Sequence, residues 1–100
     1  MLTGHQKKYL RGLAHGLKPV VQIGWKGLTD ALIRALTEAL DTHELIKVKF
    51  IDFKEKDRKT ALCQEIVQRT GAAQVGLVGH TAQFYRPHPD PENRKITLPE

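Results

Sequence analysis

The sequence predicts an α/β (α+β) sandwich, a mixed four-stranded sheet packed with three helices in the order α-β-α-β-α-β-β. Three observations carry that prediction. Apolar residues recur at helical spacing in three separate stretches. Between and after them lie short apolar runs of strand length, one of which alternates strictly. Glycines and prolines punctuate the joins, and short helices alternating with strands are the pattern of a sheet with helices packed on it. The 100 residues allow one domain with a modest core, read as a body over 1–86 and an extended tail over 87–100.

The first helix is set by Thr3 and Gln6, which have the spacing of a capping box, each side chain satisfying a backbone donor at the helix start. Leu10, Leu13 and Leu17 line one side, flanked by Tyr9 and Ala14. Lys8, Arg11 and His15 line another, with Lys7 beside Arg11, so the helix offers an apolar face to a core and a basic face to solvent. Gly16 is placed to end it. After Lys18-Pro19, the run Val20 to Ile23 predicts the first strand. A second helix follows from Thr29 or Asp30, either suited to cap it, with Leu32, Ile33, Leu36, Ala39 and Leu40 on one arc. Ile46-Lys47-Val48-Lys49-Phe50 alternates, which sends the apolar side chains to one face and both lysines to the other. The charged stretch Asp52 to Lys59 reads as a solvated loop before a third helix that buries Leu62, Ile66 and Val67, with Cys63 near its edge and Gly71 at its end. Gln74 to Val78 and Ala82 to Arg86 form a hairpin about Gly79-His80, with one of Phe84 and Tyr85 inside and the other outside. Four of the five prolines lie from Pro87 onward, and Ile96 and Leu98 are the residues able to tack that tail down.

Charge narrows the function classes. The formal net charge is +5, and its distribution is uneven: Lys7, Lys8, Arg11, Lys18 and Lys26 precede the first acid, Asp30. Such a one-signed opening makes a local positive field suited to a polyanion. No apolar run reaches the length needed to span a bilayer. The start lacks the apolar stretch of a secretory signal, and one cysteine cannot form an internal disulfide, so the expectation is a cytoplasmic protein. The five histidines and Cys63 show no metal-ligand spacing, and neither a nucleophile elbow nor a long phosphate loop is present. The expectation is a protein without metal, cofactor or small-molecule substrate, and not an enzyme.

The most informative tetrapeptide is Gly24-Trp25-Lys26-Gly27, because it closes a strand and opens a helix. Two glycines allow a tight turn and close approach of another backbone, and a helix start presents free N–H groups and a positive dipole end. Lys26 adds a mobile cation and Trp25 a flat face. A phosphate could sit on the loop while a base or ribose rests on the indole. The same residues also suit an ordinary strand-to-helix turn with Trp25 covering the core. Lys7, Lys8, Arg11 and Lys18 would join Lys26 in one patch if the first helix packs beside the loop. Lys47, Lys49 and Arg86 would widen it if their surfaces are open.

A resemblance then enters. Leu10-Arg11-Gly12-Leu13-Ala14-His15, Leu17-Lys18-Pro19-Val20-Val21, Gly24 to Thr29, Glu44 to Lys49, Tyr85-Arg86-Pro87 and Arg94 to Pro99 together resemble the CRM domain (chloroplast RNA splicing and ribosome maturation), in its stand-alone bacterial YhbY-like form. The resemblance implies a fold similar to the C-terminal domain of translation initiation factor three, and RNA binding through a surface that includes Gly24 to Gly27. It implies association with ribosomal RNA in precursors of the large subunit, as the bacterial proteins show; plant relatives act in group II intron splicing. Trp25 departs from the small or polar residue common at that place. The expected RNA-binding residues are therefore Gly24, Trp25, Lys26, Gly27, Lys18, Lys7, Lys8, Arg11, His15 and Arg86. The competing expectation is an adaptor that docks on a ribosomal protein or assembly factor.

Overall fold

A computed structural model describes residues 2–52 and 55–100. Its elements run α1 (Gly4–His15), β1 (Val21–Ile23), α2 (Asp30–His43), β2 (Leu45–Phe50), α3 (Lys56–Thr70), β3 (Ala73–Val78) and β4 (Thr81–Tyr85), then a single 3-10 turn at Pro91–Asn93. The sheet order is β1-β2-β4-β3, with β1 parallel to β2 and the other pairs antiparallel. This is the predicted mixed α+β sheet.

Local chemistry explains the boundaries. The capping box at α1 is formed: the Thr3 amide donates to Gln6 Oε1 at 3.0 Å, and the Gln6 amide to Thr3 Oγ1 at 3.1 Å. Thr29, rather than Asp30, caps α2 by accepting from the Leu32 amide at 3.1 Å. The charged stretch is not wholly a loop, since Lys56 to Lys59 form the first turn of α3, and Phe53 and Lys54 lie outside the described residues. Lys59 is buried there, its Nζ donating to the Gly79 carbonyl at 2.7 Å and lying 3.2 Å from His80 Nδ1. Its aliphatic stem is the reason: on an amphipathic first turn it packs inward while the ammonium reaches the β3–β4 turn. Gly71 ends α3 at φ 76°, the left-handed stop that glycine adopts without penalty.

Two cores flank the sheet. Ile23, Leu36, Leu40, Ile46, Val48, Phe50, Ile66 and Phe84 meet on the face covered by α2 and α3. Leu10, Ala14, Leu45, Val75 and Tyr85 meet on the face covered by α1, with Ile96 and Leu98 of the tail packed against them. Both faces of β4 are therefore covered, so Phe84 and Tyr85 are both buried, against the expected one-in, one-out arrangement. Cys63 is fully buried in the α2/α3 core rather than at an edge, and burial pushes its thiol up to about 11, partly offset by the nearby Lys59 charge. A thiol so held is unreactive.

The end of the sheet opposite the Gly24–Gly27 turn is tied down by two side chains. Glu44, at φ 63°, caps α2, and its carboxylate accepts from the amides of His88 (2.8 Å), Lys95 (2.6 Å) and Ile96 (3.1 Å), which fastens the tail. Arg86 donates to the carbonyls of Thr70 at 2.6 Å and Thr37 at 3.3 Å and pairs with Asp41, joining the carboxyl-terminal halves of α2 and α3 to the end of β4.

Candidate nucleic-acid interface

The parallel pairing of β1 with β2 and the antiparallel pairing of β2 with β4 decide what lies near the glycine-flanked turn. They bring the chain after Ile23, the chain after Phe50 and the Gly79-His80 turn to one end of the sheet. The Ile23 carbonyl accepts from the amides of Ile51 (2.9 Å) and Asp52 (3.3 Å), which anchors the base of the turn, and Leu28 packs on the α2/α3 core. The Gly27 amide donates to the Gly24 carbonyl at 3.0 Å, and Gly27 sits at φ 68°, so the peptide folds back on itself with Trp25 and Lys26 at the tip. Trp25 is 74% exposed and so does not cover the core. Lys26 Nζ lies 5.5 Å from the centre of its ring, a cation–π contact that keeps the ammonium over the turn.

Two acids temper this cationic end. A side-chain carbon on Gly24 would stand 4.0 Å from Asp52 Oδ2, so a carboxylate borders the turn. Asp30 occupies the first position of α2 and is held by Arg69 at 2.9 Å. The amino end of α2 therefore already has a hydroxyl cap and an acid, and the grip on an anion falls to the turn itself and to Lys26.

The other predicted cations divide. Arg11 and His15 of α1 line one cavity with Lys47, Val78, Thr81 and Gln83, on the side of the sheet that faces α1. Lys7 and Lys8 lie on the same helix, Lys7 half-buried and Lys8 exposed. Lys47 donates to the carbonyls of Leu17 (3.0 Å) and His15 (3.4 Å), closing the carboxyl end of α1. Lys49 is exposed beside Gln22 and Thr81 on the same side. Lys18, by contrast, lines an apolar cavity of about 350 Å³ with Leu13, Leu17, Val20, His43 and Ile96, at the far end of β1. Six residues of nearly extended chain, roughly 20 Å, separate it from Gly24. Arg86 is at the far end too, its guanidinium engaged by the two helices it joins. The single patch expected from sequence is thus divided: the turn and Lys49 lie toward one end of the sheet and Arg86 toward the other, with Arg11, His15 and Lys47 between them and Lys18 beside Leu17, whose carbonyl accepts from Lys47. Sequence alternation put Lys47 and Lys49 on one face but could not show that the end of α1 covers that face at Lys47 and leaves it exposed at Lys49.

Known proteins resemble this chain over nearly its whole length. A family model described as the CRS1 / YhbY (CRM) domain matches residues 2–86. An RNA-binding protein of Haemophilus influenzae is 44% identical over 98 residues, spanning 98% of this chain and 95% of that protein. The probable RNA-binding protein YqeI of Bacillus subtilis is 38% identical over 99% of this chain and all of its own. The solution structure of a hypothetical protein from Staphylococcus aureus superposes with a TM-score of 0.82 at 36% identity, covering 99% of this chain and 100% of that one.

Proposed function

Because the chain belongs to the CRS1/YhbY (CRM) family, we propose that it is an RNA-binding protein that associates with ribosomal RNA in precursors of the large subunit and assists their assembly in the cytoplasm. The observation that carries the reading is the projecting Gly24–Gly27 turn, with Trp25 exposed and Lys26 held over its ring. Phosphates of a single strand rest on the turn, Lys26 neutralises them, and a base or ribose stacks on Trp25. Arg11, His15, Lys47 and Lys49 extend the grip across the sheet, with Lys7 and Lys8 on the outer part of α1. Relatives described as RNA-binding proteins support the partner class. The arrangement holds and positions RNA; nothing in the mechanism requires a bond to be broken.

Two substitutions test the loop without threatening the fold. Lys26→Ala removes an exposed cation, and Gly24→Val fills space that the protein leaves open. Lys26→Ala is expected to weaken binding to ribosomal RNA fragments and to reduce the slope of log affinity against log salt by about one. Gly24→Val is expected to weaken binding with the slope nearly kept, because it blocks approach rather than removing charge. Titration by fluorescence anisotropy at several salt concentrations reads both, and parent-like affinity in both variants would refute the loop assignment. Crosslinking in cells followed by sequencing of the attached RNA tests the ribosomal assignment, which recovery of mostly messenger or transfer RNA would defeat.

A second reading, docking on a ribosomal protein or assembly factor, is favoured by one observation. Leu13, Leu17 and Val20 are each more than 40% exposed around the apolar cavity at the far end. Binding to precursor particles that barely changes with salt would select it, since phosphate contacts are lost steeply as salt rises.

A further inference from the structure

Gln83 sits on the β4 ladder facing α1, 4% exposed, and its Oε1 is the sole enclosed side-chain polar atom without a hydrogen-bond partner among the described residues. An orphaned buried acceptor is a standing loss of stability, and an aliphatic side chain would fill the same place without it. The surroundings show how the amide is housed. The register of β3 on β4 skips Val75, a bulge that turns Val75 and Gly76 to the same face. Arg11 Nη1 takes the Val75 carbonyl at 2.9 Å, which lays the arginine stem across Gly76. A side-chain carbon on Gly76 would collide with Gln83 Oε1 and stand 2.7 Å from Arg11 Cδ, so only glycine leaves the slot in which both side chains lie.

Beside that slot is a cavity of about 240 Å³ lined by Arg11, His15, Lys47, Val78, Thr81 and Gln83, with no carboxylate among them. Its Thr81 and Val78 belong to the cross-strand row Gln22, Lys49, Thr81 and Val78, in which Gln22, Lys49 and Val78 are exposed. Thr81 lies two strands across from Gly24 and about two residues along, roughly 12 Å away by the spacing of a sheet. A strand held on the turn therefore passes the cavity mouth within a nucleotide or two.

We propose that this cavity takes one unstacked nucleobase and that Gln83 reads its edge, preferring the keto bases, uracil above all. The proposal rests on the RNA reading of the turn and adds base selection to a grip otherwise made on phosphate. The terminal amide torsion is broad and roughly two-fold, and a half-turn about it brings Oε1 from Gly76 to the cavity. There it accepts from an imino N–H, and the flanking carbonyls of the same edge accept from the guanidinium of Arg11 and the ammonium of Lys47, each of which has N–H groups beyond those already engaged. Adenine and cytosine offer no imino N–H at neutral pH. The orphaned acceptor is thereby satisfied when RNA is bound.

The test uses the full chain with short oligouridylate, oligoadenylate and oligocytidylate, read by anisotropy. The parent is expected to bind oligouridylate about tenfold more tightly than the other two. Gln83→Met, which keeps the shape and removes the polar atoms, is expected to level the three affinities and keep the salt slope, while the melting temperature holds or rises as the orphaned acceptor is lost. A purely packing role for Gln83 would leave the ratio untouched, whatever the change in stability. Lys26→Ala should weaken all three oligonucleotides alike and keep their ratio, so failure of the turn and failure of the cavity give different results. A parent without base preference, or a Gln83→Met variant that keeps it, overturns the inference.

Discussion

Glu44→Ala is expected to lower the unfolding free energy by about 2 to 4 kcal/mol and to free the C-terminal tail. The carboxylate is buried and accepts three backbone amides from one short stretch of chain, so removing it orphans donors that only water could then satisfy. Ile96 and Leu98 would leave the α1-side core with it. For a domain of this size the melting temperature should fall by on the order of 10 °C or more. Glu44→Gln keeps one acceptor and should fall between. Thermal denaturation together with hydrogen exchange at His88, Lys95 and Ile96 measures both parts; protected tail amides in Glu44→Ala would show that something else holds the tail.

The same carboxylate predicts an acid response. Burial alone would raise its pKa, but the three amide donors, helped by the nearby His88, outweigh burial and hold it below the usual carboxylate value. A group with a depressed folded pKa contributes stability that is fully present above its unfolded pKa and is lost as pH falls through the folded one. Melting temperature should therefore be flat from neutral pH to mildly acidic pH and then fall, and the fall should be shallower in Glu44→Gln. That Glu44 is a non-glycine residue held at φ 63° fits this account, since the strain is tolerated where the side chain has a fixed task.

Arg86→Ala is expected to cost about 1.5 to 3 kcal/mol of stability while leaving RNA affinity and its salt slope unchanged in the folded protein. Its partner Asp41 is 65% exposed, so the ion pair itself contributes little; the Thr70 and Thr37 carbonyls account for most of the loss. Arg86→Lys should recover only part of it, because a point ammonium cannot reach three acceptors as a planar guanidinium does. Urea denaturation and RNA titration on one preparation check the two halves together. A shallower salt slope in the folded Arg86→Ala protein would return Arg86 to the RNA surface, as its sequence context suggested.

What was legible in the sequence was what local chemistry decides. The Thr3–Gln6 capping box and the strict alternation from Ile46 to Phe50 gave the right element and face, whereas the periodicity of α1 gave the helix and Leu10 but also set Leu13 and Leu17 inward, and both are 41% exposed. Lys18 and Arg86 show the limit. Their charge is a local property, but β1 runs between Lys18 and the turn, and the β3–β4 hairpin sends Arg86 to the end away from it. Tyr85 misled for a related reason: Ala82, Phe84 and Tyr85 carry little polar alternation, and cover on both faces comes from α1 and a tail remote in sequence. The Gln83 slot was invisible because it needs the bulge at Val75, the bare Gly76 and the stem of Arg11, three features of separate segments.

The Glu44 knot has a practical corollary. It stands at the pole of the molecule farthest from the glycine-flanked turn, so tail amides can serve as a built-in gauge of intactness. In one spectrum of a titration, their resonances would report whether the chain is whole while those of Trp25 and Gln83 report occupancy, which lets ligand effects be told from damage without a second sample.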